Sequence, residues 1–330
     1  MTTARLVTTD DPRWMDYALR LGRRALGTTA ENPNVGCVIV KNGQVQGVGW
    51  TQPGGRPHAE TEALAMAGEG ACGATAFVTL EPCAHHGRTG PCAEALVRAG
   101  VVRVVTALED PDPRVSGAGH AILRAAGGTV ETGMGAAEAR RDLAGFLTRI
   151  IWKRPYVILK LAVSADGKIA ARTGEKTAIT GPEANARVHL LRAQCDAVLV
   201  GMGTVPIDDP LLTCRLPGLE ARSPQPFVFG HGGLSPSLKL STRGAIVVHD
   251  LSGMDHVNRL LVEGGARVAR HFLDQGIVDE FQIFRSPVKL GPQGVDAVSG
   301  MSLEQAVQPF VMREEERLGL DTLTVYSRLP

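Results

Sequence analysis

Residues 35–48 read VGCVIVKNGQVQGV, and this stretch predicts the first pair of strands in the chain. A nearly all-apolar run at residues 35–40 is followed by Lys-Asn-Gly at residues 41–43 and by a second β-rich run at residues 45–48. Asn-Gly between two such runs is a strong hairpin signal, because both residues tolerate the positive φ of a tight turn. The hairpin therefore predicts a sheet in the first part of the chain.

Helices and strands alternate on both sides of this hairpin. Before it, Pro12 stands at the first position of a predicted helix whose apolar residues recur from Trp14 to Ala25, and Gly27 ends that helix. After it, the pattern predicts helices at residues 58–68 and 91–99 and strands at residues 76–80 and 101–108. This alternation is typical of an α/β fold, a helix-covered sheet with some parallel pairing.

A second set of elements begins after a mainly polar predicted helix at residues 136–151. It comprises predicted strands at residues 156–162, 197–200, 245–248 and 261–262, and predicted helices at residues 182–194 and 255–260. The chain has 330 residues, which at about 150 residues per domain corresponds to two domains. We therefore predict domains at residues 1–150 and 151–330.

The composition excludes several classes of protein. Apolar residues make up 44% and charged residues 21% of the chain, which is ordinary for a globular protein and unlike a disordered one. The net charge of +1 gives no broad attraction to nucleic acid or to an anionic membrane, so we expect neither as a partner. With six cysteines in a long chain and no apolar leader or membrane-spanning run, we expect a cytoplasmic protein.

The strongest chemical signal is the set His58-Ala59-Glu60, Pro82-Cys83 and Cys92. One imidazole and two thiolates supply three tetrahedral zinc ligands and leave a fourth position for water, as in a catalytic zinc site. Zinc lowers the pKa of bound water to about 7, so hydroxide is available at neutral pH. Glu60, two residues after the histidine, is then the proton shuttle. His-x-Glu with a later Pro-Cys is the pattern of zinc-dependent nucleobase deaminases.

Two features of this region leave alternatives open. Eight residues separate Cys83 from Cys92, where that pattern usually has two, and the insert contains His85 and His86. Either histidine could be a ligand, although contact with substrate or solvent is favoured. Asn34, just before the first strand, could present its amide to a substrate ring or sugar, but an isolated asparagine here is also typical of a turn.

Motifs along nearly the whole chain resemble the bifunctional riboflavin-biosynthesis deaminase/reductase family. In the first half these are residues 32–40, 58–60 and 79–92, including the eight-residue insert that distinguishes the family from cytidine and tRNA-adenosine deaminases. In the second half they are residues 164–168, 179–181, 191–193, 201–204, 208–213, 261–265 and 278–280. The resemblance implies a cytidine-deaminase-like α/β/α sandwich followed by a dihydrofolate-reductase-like α/β domain.

The resemblance also implies two reactions. The first domain would hydrolyse an exocyclic amine from 2,5-diamino-6-ribosylamino-4(3H)-pyrimidinone 5′-phosphate, with one zinc ion per chain. The second would reduce the ribosyl side chain to ribityl with NADPH. The partners are then a small phosphorylated pyrimidine and further copies of the chain, in a dimer or tetramer.

Site residues in the second domain follow from the same resemblance. It assigns NADPH contacts to Ala162, Thr204, Asp208, Gly264, Gly265, Ala266 and Arg267. It assigns substrate contacts to Lys176, Arg192, Leu212, Arg215 and Glu263. These residue types suit the roles, because glycines at a strand-to-helix turn let backbone N–H groups approach phosphate and arginines bind phosphate through two donors.

The second half departs from the family at three places. Ala178 stands where the family usually has Trp, and Lys176 stands where Ser is frequent. Residues 227–233, Phe-Val-Phe-Gly-His-Gly-Gly, replace a strand that ends in Asp. These departures keep one alternative open, a deaminase whose degenerate reductase domain serves only oligomerisation. A nucleic-acid base editor and a non-enzymatic zinc module are weaker alternatives.

Overall fold

The chain folds into two units that divide between Lys153 and Arg154. The computed structural model describes residues 10–85, 90–112 and 115–328. Each unit has its own sheet and its own apolar core. The sequence-based boundary after residue 150 lies close to this division.

The first unit contains a five-stranded sheet. Its strands are β1 (Gly36–Lys41), β2 (Gln44–Trp50), β3 (Thr75–Val78), β4 (Arg103–Thr106) and β5 (Thr129–Thr132). The order is β2-β1-β3-β4-β5, in which β1 is antiparallel to β2 and β3, and the other neighbours are parallel. The predicted hairpin is confirmed, since Lys41 pairs with Gln44 and both turn residues, Asn42 and Gly43, have positive φ.

Six α-helices accompany this sheet in the described residues. They are α1 (Asp11–Arg23), α2 (Ala59–Ala67), α3 (Cys92–Arg98), α4 (Ala118–Ala125), α5 (Ala136–Asp142) and α6 (Ala144–Trp152). The prediction of a single helix at residues 136–151 is wrong in one respect. The chain bends at Leu143, whose φ of −92° and ψ of 6° separate α5 from α6. The Leu143 side chain at this bend packs in the apolar core of the first unit.

The second unit contains an eight-stranded mixed sheet and a small two-stranded one. The strands are β6 (Tyr156–Val163), β7 (Lys168–Ala170), β8 (Ala197–Gly201), β9 (Gln225–Phe229), β10 (Ile246–Val248), β11 (Arg259–Val262), β12 (Glu280–Arg285), β13 (Val295–Asp296), β14 (Phe310–Leu318) and β15 (Asp321–Arg328). The large sheet runs β10-β9-β8-β11-β6-β12-β15-β14. The first six strands in this order, from β10 at the edge to β12, are all parallel to one another. Strand β15 is antiparallel to both β12 and β14.

The helices of the second unit connect or follow these strands. They are α7 (Pro182–Ala193), α8 (Val205–Asp208), α9 (Lys239–Thr242), α10 (Ala266–Asp274) and α11 (Leu303–Val307). The helix predicted at residues 255–260 is wrong, because Arg259–Val262 is strand β11. That strand pairs with β8 on one side and β6 on the other, so the sheet satisfies its backbone groups and buries Leu260 and Leu261 completely.

None of the helices in the described parts of the chain combines the length and the apolar character that crossing a bilayer requires.

Candidate functional site

The first candidate site lies at the amino end of α2. His58 is the residue before this helix, with extended backbone, and Glu60 is the second residue within it. Helix α2 lies directly against β2. A Cβ added to Gly49 would be 2.2 Å from the Ala59 carbonyl oxygen, so the contact leaves no room for a side chain there. The absence of a side chain at Gly49 therefore fixes where His58 and Glu60 lie relative to the sheet.

Cys83 and Cys92 complete this site from two other segments. Cys83 follows β3, and Cys92 is the first residue of α3, where its backbone N–H donates to the Cys83 sulfur at 3.3 Å. The Nδ1 atom of His58 lies 3.3 Å from Cys92 Sγ and 3.7 Å from Cys83 Sγ. In a tetrahedral zinc site, with bonds of about 2.0–2.3 Å, ligand atoms lie about 3.3–3.8 Å apart. The three side chains thus fit a zinc ion despite the long insert.

Burial and mutual contact shift the ionisation of these groups. Burial raises the pKa of Glu60 to about 7, although the charge of His58 opposes this effect. The hydrogen bond from the Cys92 thiol lowers the pKa of Cys83 to about 4, and the same hydrogen bond raises the pKa of Cys92. A glutamate with a pKa near neutrality can both accept and return a proton, as general acid–base catalysis requires.

A cavity of about 290 Å³ opens beside these residues. Its wall carries both acidic and basic side chains: Glu31, Glu60, Glu81, Asp110, Asp112, Arg56, Arg149 and His85. His85 therefore lies on the cavity wall, outside the three-residue ligand cluster. His86 falls outside the described residues. The structure does not place Asn34 on the wall: it is buried, and its amide donates to the Gly22 carbonyl at 3.4 Å.

Glu81 is a residue to which the sequence assigned no role. Its side chain is completely buried and accepts backbone hydrogen bonds from Asp110 at 3.2 Å, Gly117 at 3.0 Å and His120 at 3.1 Å. These bonds join the segment before Cys83 to the segment that carries Asp110 and to the start of α4. The position of Glu81 directly before Pro82-Cys83 is the sequence signal that could have singled it out.

The second candidate site is a cavity of about 1230 Å³ at the carboxyl ends of the parallel strands. Ligands of open α/β sheets bind at this edge. The predicted cofactor residues Ala162, Thr204, Asp208, Gly264, Gly265, Ala266 and Arg267 all line the cavity. So do Lys176, Ala178 and Glu263. The structure thus brings ten residues singled out in the sequence around one space.

The turn between β11 and α10 shows how this cavity is built. Strand β11 ends at Val262, α10 begins at Ala266, and Gly265 is the residue before the helix. A Cβ on Gly264 would lie only 2.6 Å from the Cβ of Val268. The helix therefore starts very close to the strand, which leaves its first backbone N–H groups directed at the cavity, where phosphate oxygens can accept from them.

Three predicted substrate residues lie away from the cavity wall. Leu212 is buried in the apolar core, and Arg215 is exposed elsewhere on the surface. The guanidinium of Arg192 pairs with Glu263 through Nε at 2.6 Å and Nη2 at 2.9 Å, and Nη1 donates to the Thr213 carbonyl. Sequence spacing does not reveal this pairing, because 71 residues separate Arg192 from Glu263. Substrate contact by these three residues stays a prediction.

The two sites together define a class of protein, a zinc-site deaminase unit followed by a reductase unit with a nucleotide-sized cavity. The family model described as the cytidine and deoxycytidylate deaminase zinc-binding region matches residues 8–108, and the RibD C-terminal domain model matches residues 155–320. The chain is 37% identical to the riboflavin biosynthesis protein RibD of Escherichia coli, over 94% of this chain and 97% of that one. The corresponding protein of Aquifex aeolicus is also 37% identical, over 96% and 98% of the two chains.

Solved structures agree with these matches. RibD of Acinetobacter baumannii superimposes with a TM-score of 0.89 at 37% identity, covering 97% of this chain and 99% of that one. A Thermotoga maritima protein described as a diaminohydroxyphosphoribosylaminopyrimidine deaminase/5-amino-6-(5-phosphoribosylamino)uracil reductase gives 0.86 at 32% identity, over 96% and 98% of the chains. The chain belongs to the RibD family.

Family membership confirms the central sequence-based predictions. The fold joins a cytidine-deaminase-like unit to a RibD-type reductase unit, and the chain is a bifunctional deaminase and reductase of riboflavin biosynthesis. Zinc and NADPH are its cofactors. The matches extend over both units, so they do not favour a reductase domain kept only for oligomerisation.

Proposed function

We propose that the first unit deaminates 2,5-diamino-6-ribosylamino-4(3H)-pyrimidinone 5′-phosphate and that the second reduces the product's ribosyl group to ribityl. The name of the Thermotoga maritima relative describes these two activities. The arrangement of His58, Cys83 and Cys92 around one point, with the buried carboxylate of Glu60 at the same site, is the observation that carries the proposal.

In the deaminase unit, His58 Nδ1 and the two cysteine sulfurs hold zinc. When bound, zinc supplies a nucleophile for hydrolysis at neutral pH by acidifying water. Glu60 would accept two protons in turn, first from the attacking water and then from the hydroxyl group formed on the ring, and return one to the ring nitrogen and one to the departing amine. Burial raises the pKa of this carboxyl group above its ordinary value, which favours a group that takes up and releases a proton.

In the reductase unit, the fit to NADPH rests on the cavity at the strand ends and on the close turn at Gly264. NADPH supplies the hydride, and the protein binds and orients it. The backbone around Gly264, Gly265 and Ala266 holds the pyrophosphate. Thr204, Asp208 and Ala162 line the rest of the cofactor site, and Lys176 and Glu263 face the substrate. Lys160 lines the same end of the cavity, with its amine 3.8 Å from Glu263, and position alone makes these two groups candidates for a role in the reaction.

Glu60→Gln in the full chain tests the deaminase assignment. The variant should retain about one zinc per chain, while ammonia release from the pyrimidine collapses and NADPH oxidation with the deaminated substrate continues. Glu62→Gln, on the same helix but away from the cavity wall, is the matched control. Loss of zinc together with activity would mean that Glu60 is structural, and unchanged ammonia release would exclude it as the proton shuttle.

A coupled assay tests the reductase assignment. Supplied with the diamino substrate and NADPH, the wild-type chain should release ammonia and then oxidise NADPH. Accumulation of the deaminated product without NADPH consumption would contradict the bifunctional assignment. Light scattering and fractionation of the source cells would test the two further expectations, a dimer or tetramer and a cytoplasmic location.

A further inference from the structure

Two histidines lie next to each other at the carboxyl ends of β9 and β10. Their rings are stacked, with centroids 5.6 Å apart and planes inclined by 20°. The register explains this: Phe229, the last residue of β9, lies opposite Val248, the last residue of β10. His231 follows two residues after Phe229, and His249 follows directly after Val248. Both side chains are exposed.

The reductase cavity extends towards this pair. Neighbouring strands in the order β6-β11-β8-β9 contribute wall residues in turn: Ala162 from β6, residues 263–267 after β11, residues 201–204 at the end of β8, and Phe229 from β9. The next positions along the same edge are His231 and His249. Four interstrand spacings separate β6 from β10, about 19 Å at about 4.8 Å each, which is the scale of an extended dinucleotide.

The direction of the dinucleotide follows from the proposed reductase function, on which this inference rests. The nicotinamide must meet the substrate, so it belongs at the β6 end with Lys160 and Lys176. The pyrophosphate belongs at the start of α10. The adenosine then lies over β8 and β9, where Phe229 and His271 present adjacent rings with centroids 4.9 Å apart. The adenosine ribose is thereby directed at residues 230–231.

The chemistry of residues 230–231 and 249–250, just beyond this end of the cavity, suits a phosphate. Gly230, the residue after β9, carries no carboxylate, and a side chain is disfavoured there because a Cβ would lie 2.8 Å from that of Met202. Asp250, the residue after His249, accepts hydrogen bonds from the backbone and hydroxyl of Ser252. We propose that His231 and His249 bind the 2′-phosphate of NADPH and thereby select NADPH over NADH.

Arg267 is the alternative binding residue for the 2′-phosphate. It belongs to the first turn of α10, beside Gly203, and it lines the cavity. That position faces the pyrophosphate, which NADPH and NADH share, whereas only NADPH carries the 2′-phosphate. A change at Arg267 should therefore weaken both cofactors by the same factor, and a change in the histidine pair should weaken NADPH alone.

The experiment measures dissociation constants by calorimetry on the full chain, without turnover. The variants are His231→Ala, His249→Ala, the double variant and Arg267→Ala, each titrated with NADPH, NADH, adenosine 2′,5′-bisphosphate and AMP. His256→Ala is the matched control, since it is an exposed histidine of the same unit, next to Asp255. Hydrogen bonds to a charged group are strong enough that the double variant should lose at least about tenfold in affinity for NADPH and for the bisphosphate. Affinity for NADH and AMP should stay unchanged.

The outcomes separate this inference from the proposed function. If the double variant keeps the wild-type ratio of NADH to NADPH dissociation constants, the histidine pair does not read the 2′-phosphate. Collapse of that ratio in Arg267→Ala would transfer the role to Arg267 and overturn the proposal. If wild type binds neither dinucleotide, the proposed reductase site fails and this inference fails with it. Unchanged far-ultraviolet circular dichroism of each variant shows that folding is not the cause.

Discussion

Glu263→Gln should destabilise the second unit because it breaks a buried charge network. The Glu263 carboxylate pairs with Arg192 at 2.6 and 2.9 Å and lies 3.8 Å from Lys160 Nζ. All three side chains are at most 14% exposed. A neutral amide at this position would leave two buried cations without a counter-charge, while its volume stays almost the same. The effect therefore reports charge, with no cavity created.

Two estimates of the folding free energy lost in Glu263→Gln agree. Burial alone would raise the pKa of Glu263, but the charges of Arg192 and Lys160 outweigh it and lower the pKa from 4.5 to about 2. At about 1.4 kcal/mol for each pKa unit, this difference corresponds to about 3 kcal/mol of folding free energy. Removal of one partner from a buried ion pair costs about 3–5 kcal/mol in other proteins. We therefore expect a loss of about 3 kcal/mol.

The assay must separate the two units, and the tryptophans make this possible. All three, Trp14, Trp50 and Trp152, belong to the first unit. Urea unfolding of the full chain followed by tryptophan fluorescence therefore reports the first unit, whereas circular dichroism reports both. The transition seen only by circular dichroism should shift in the variant. Asp274→Asn, in the exposed pair with Arg270, is the control and should leave that transition in place.

The pH dependence gives a second check on the same reasoning. Because the pKa of Glu263 is lower in the folded state, its stabilisation is complete above about pH 4.5 and is lost as the pH falls towards 2. The difference in unfolding free energy between wild type and Glu263→Gln should therefore shrink over this range. Breaking a buried ion pair should cost more than about 1 kcal/mol at neutral pH. A smaller loss of unfolding free energy, or a loss that does not change with pH, would show that the charge network does not stabilise the second unit.

Two further predictions concern the turn and the zinc segment. Gly264→Ala should weaken NADPH binding and lower the stability of the second unit by about 1–3 kcal/mol, because the new Cβ overlaps that of Val268; calorimetry and urea unfolding measure the two effects, and wild-type affinity would contradict the close-approach argument. Glu81→Ala should reduce bound zinc and lower the stability of the first unit by at least about 3 kcal/mol, since three backbone N–H groups lose their acceptor. Elemental analysis and tryptophan fluorescence measure these losses, and full zinc content would show that Glu81 does not position the metal site.

Local patterns in the sequence were sufficient where neighbouring residues decide the structure. The Asn42-Gly43 turn predicted the first hairpin, because positive φ at both positions is a local requirement. The predicted starts of α2 and α3, at residues 58 and 91, lie one residue before the observed starts at Ala59 and Cys92. Both helix starts carry metal-site residues, so the zinc cluster was accessible from the sequence.

Tertiary contacts decided the places where those patterns were wrong. Arg259–Val262 became a strand because the gap between β8 and β6 offered hydrogen bonds on both sides. Leu212 lies in an apolar core, and its contact with the substrate stays a prediction. Long-range partners determine both outcomes, and no window of local sequence contains them.

By itself, the sequence predicted the two-unit organisation, the zinc ligands and Glu60, and the glycine turn at residues 264–265. Only the tertiary structure decided that Arg192 binds Glu263, that Glu81 joins the zinc segment to its neighbours, and that His231 meets His249. The reason is how far apart in the sequence the interacting residues are. Turn geometry and helix starts depend on adjacent residues, whereas desolvated charges and ring contacts depend on which strands lie side by side.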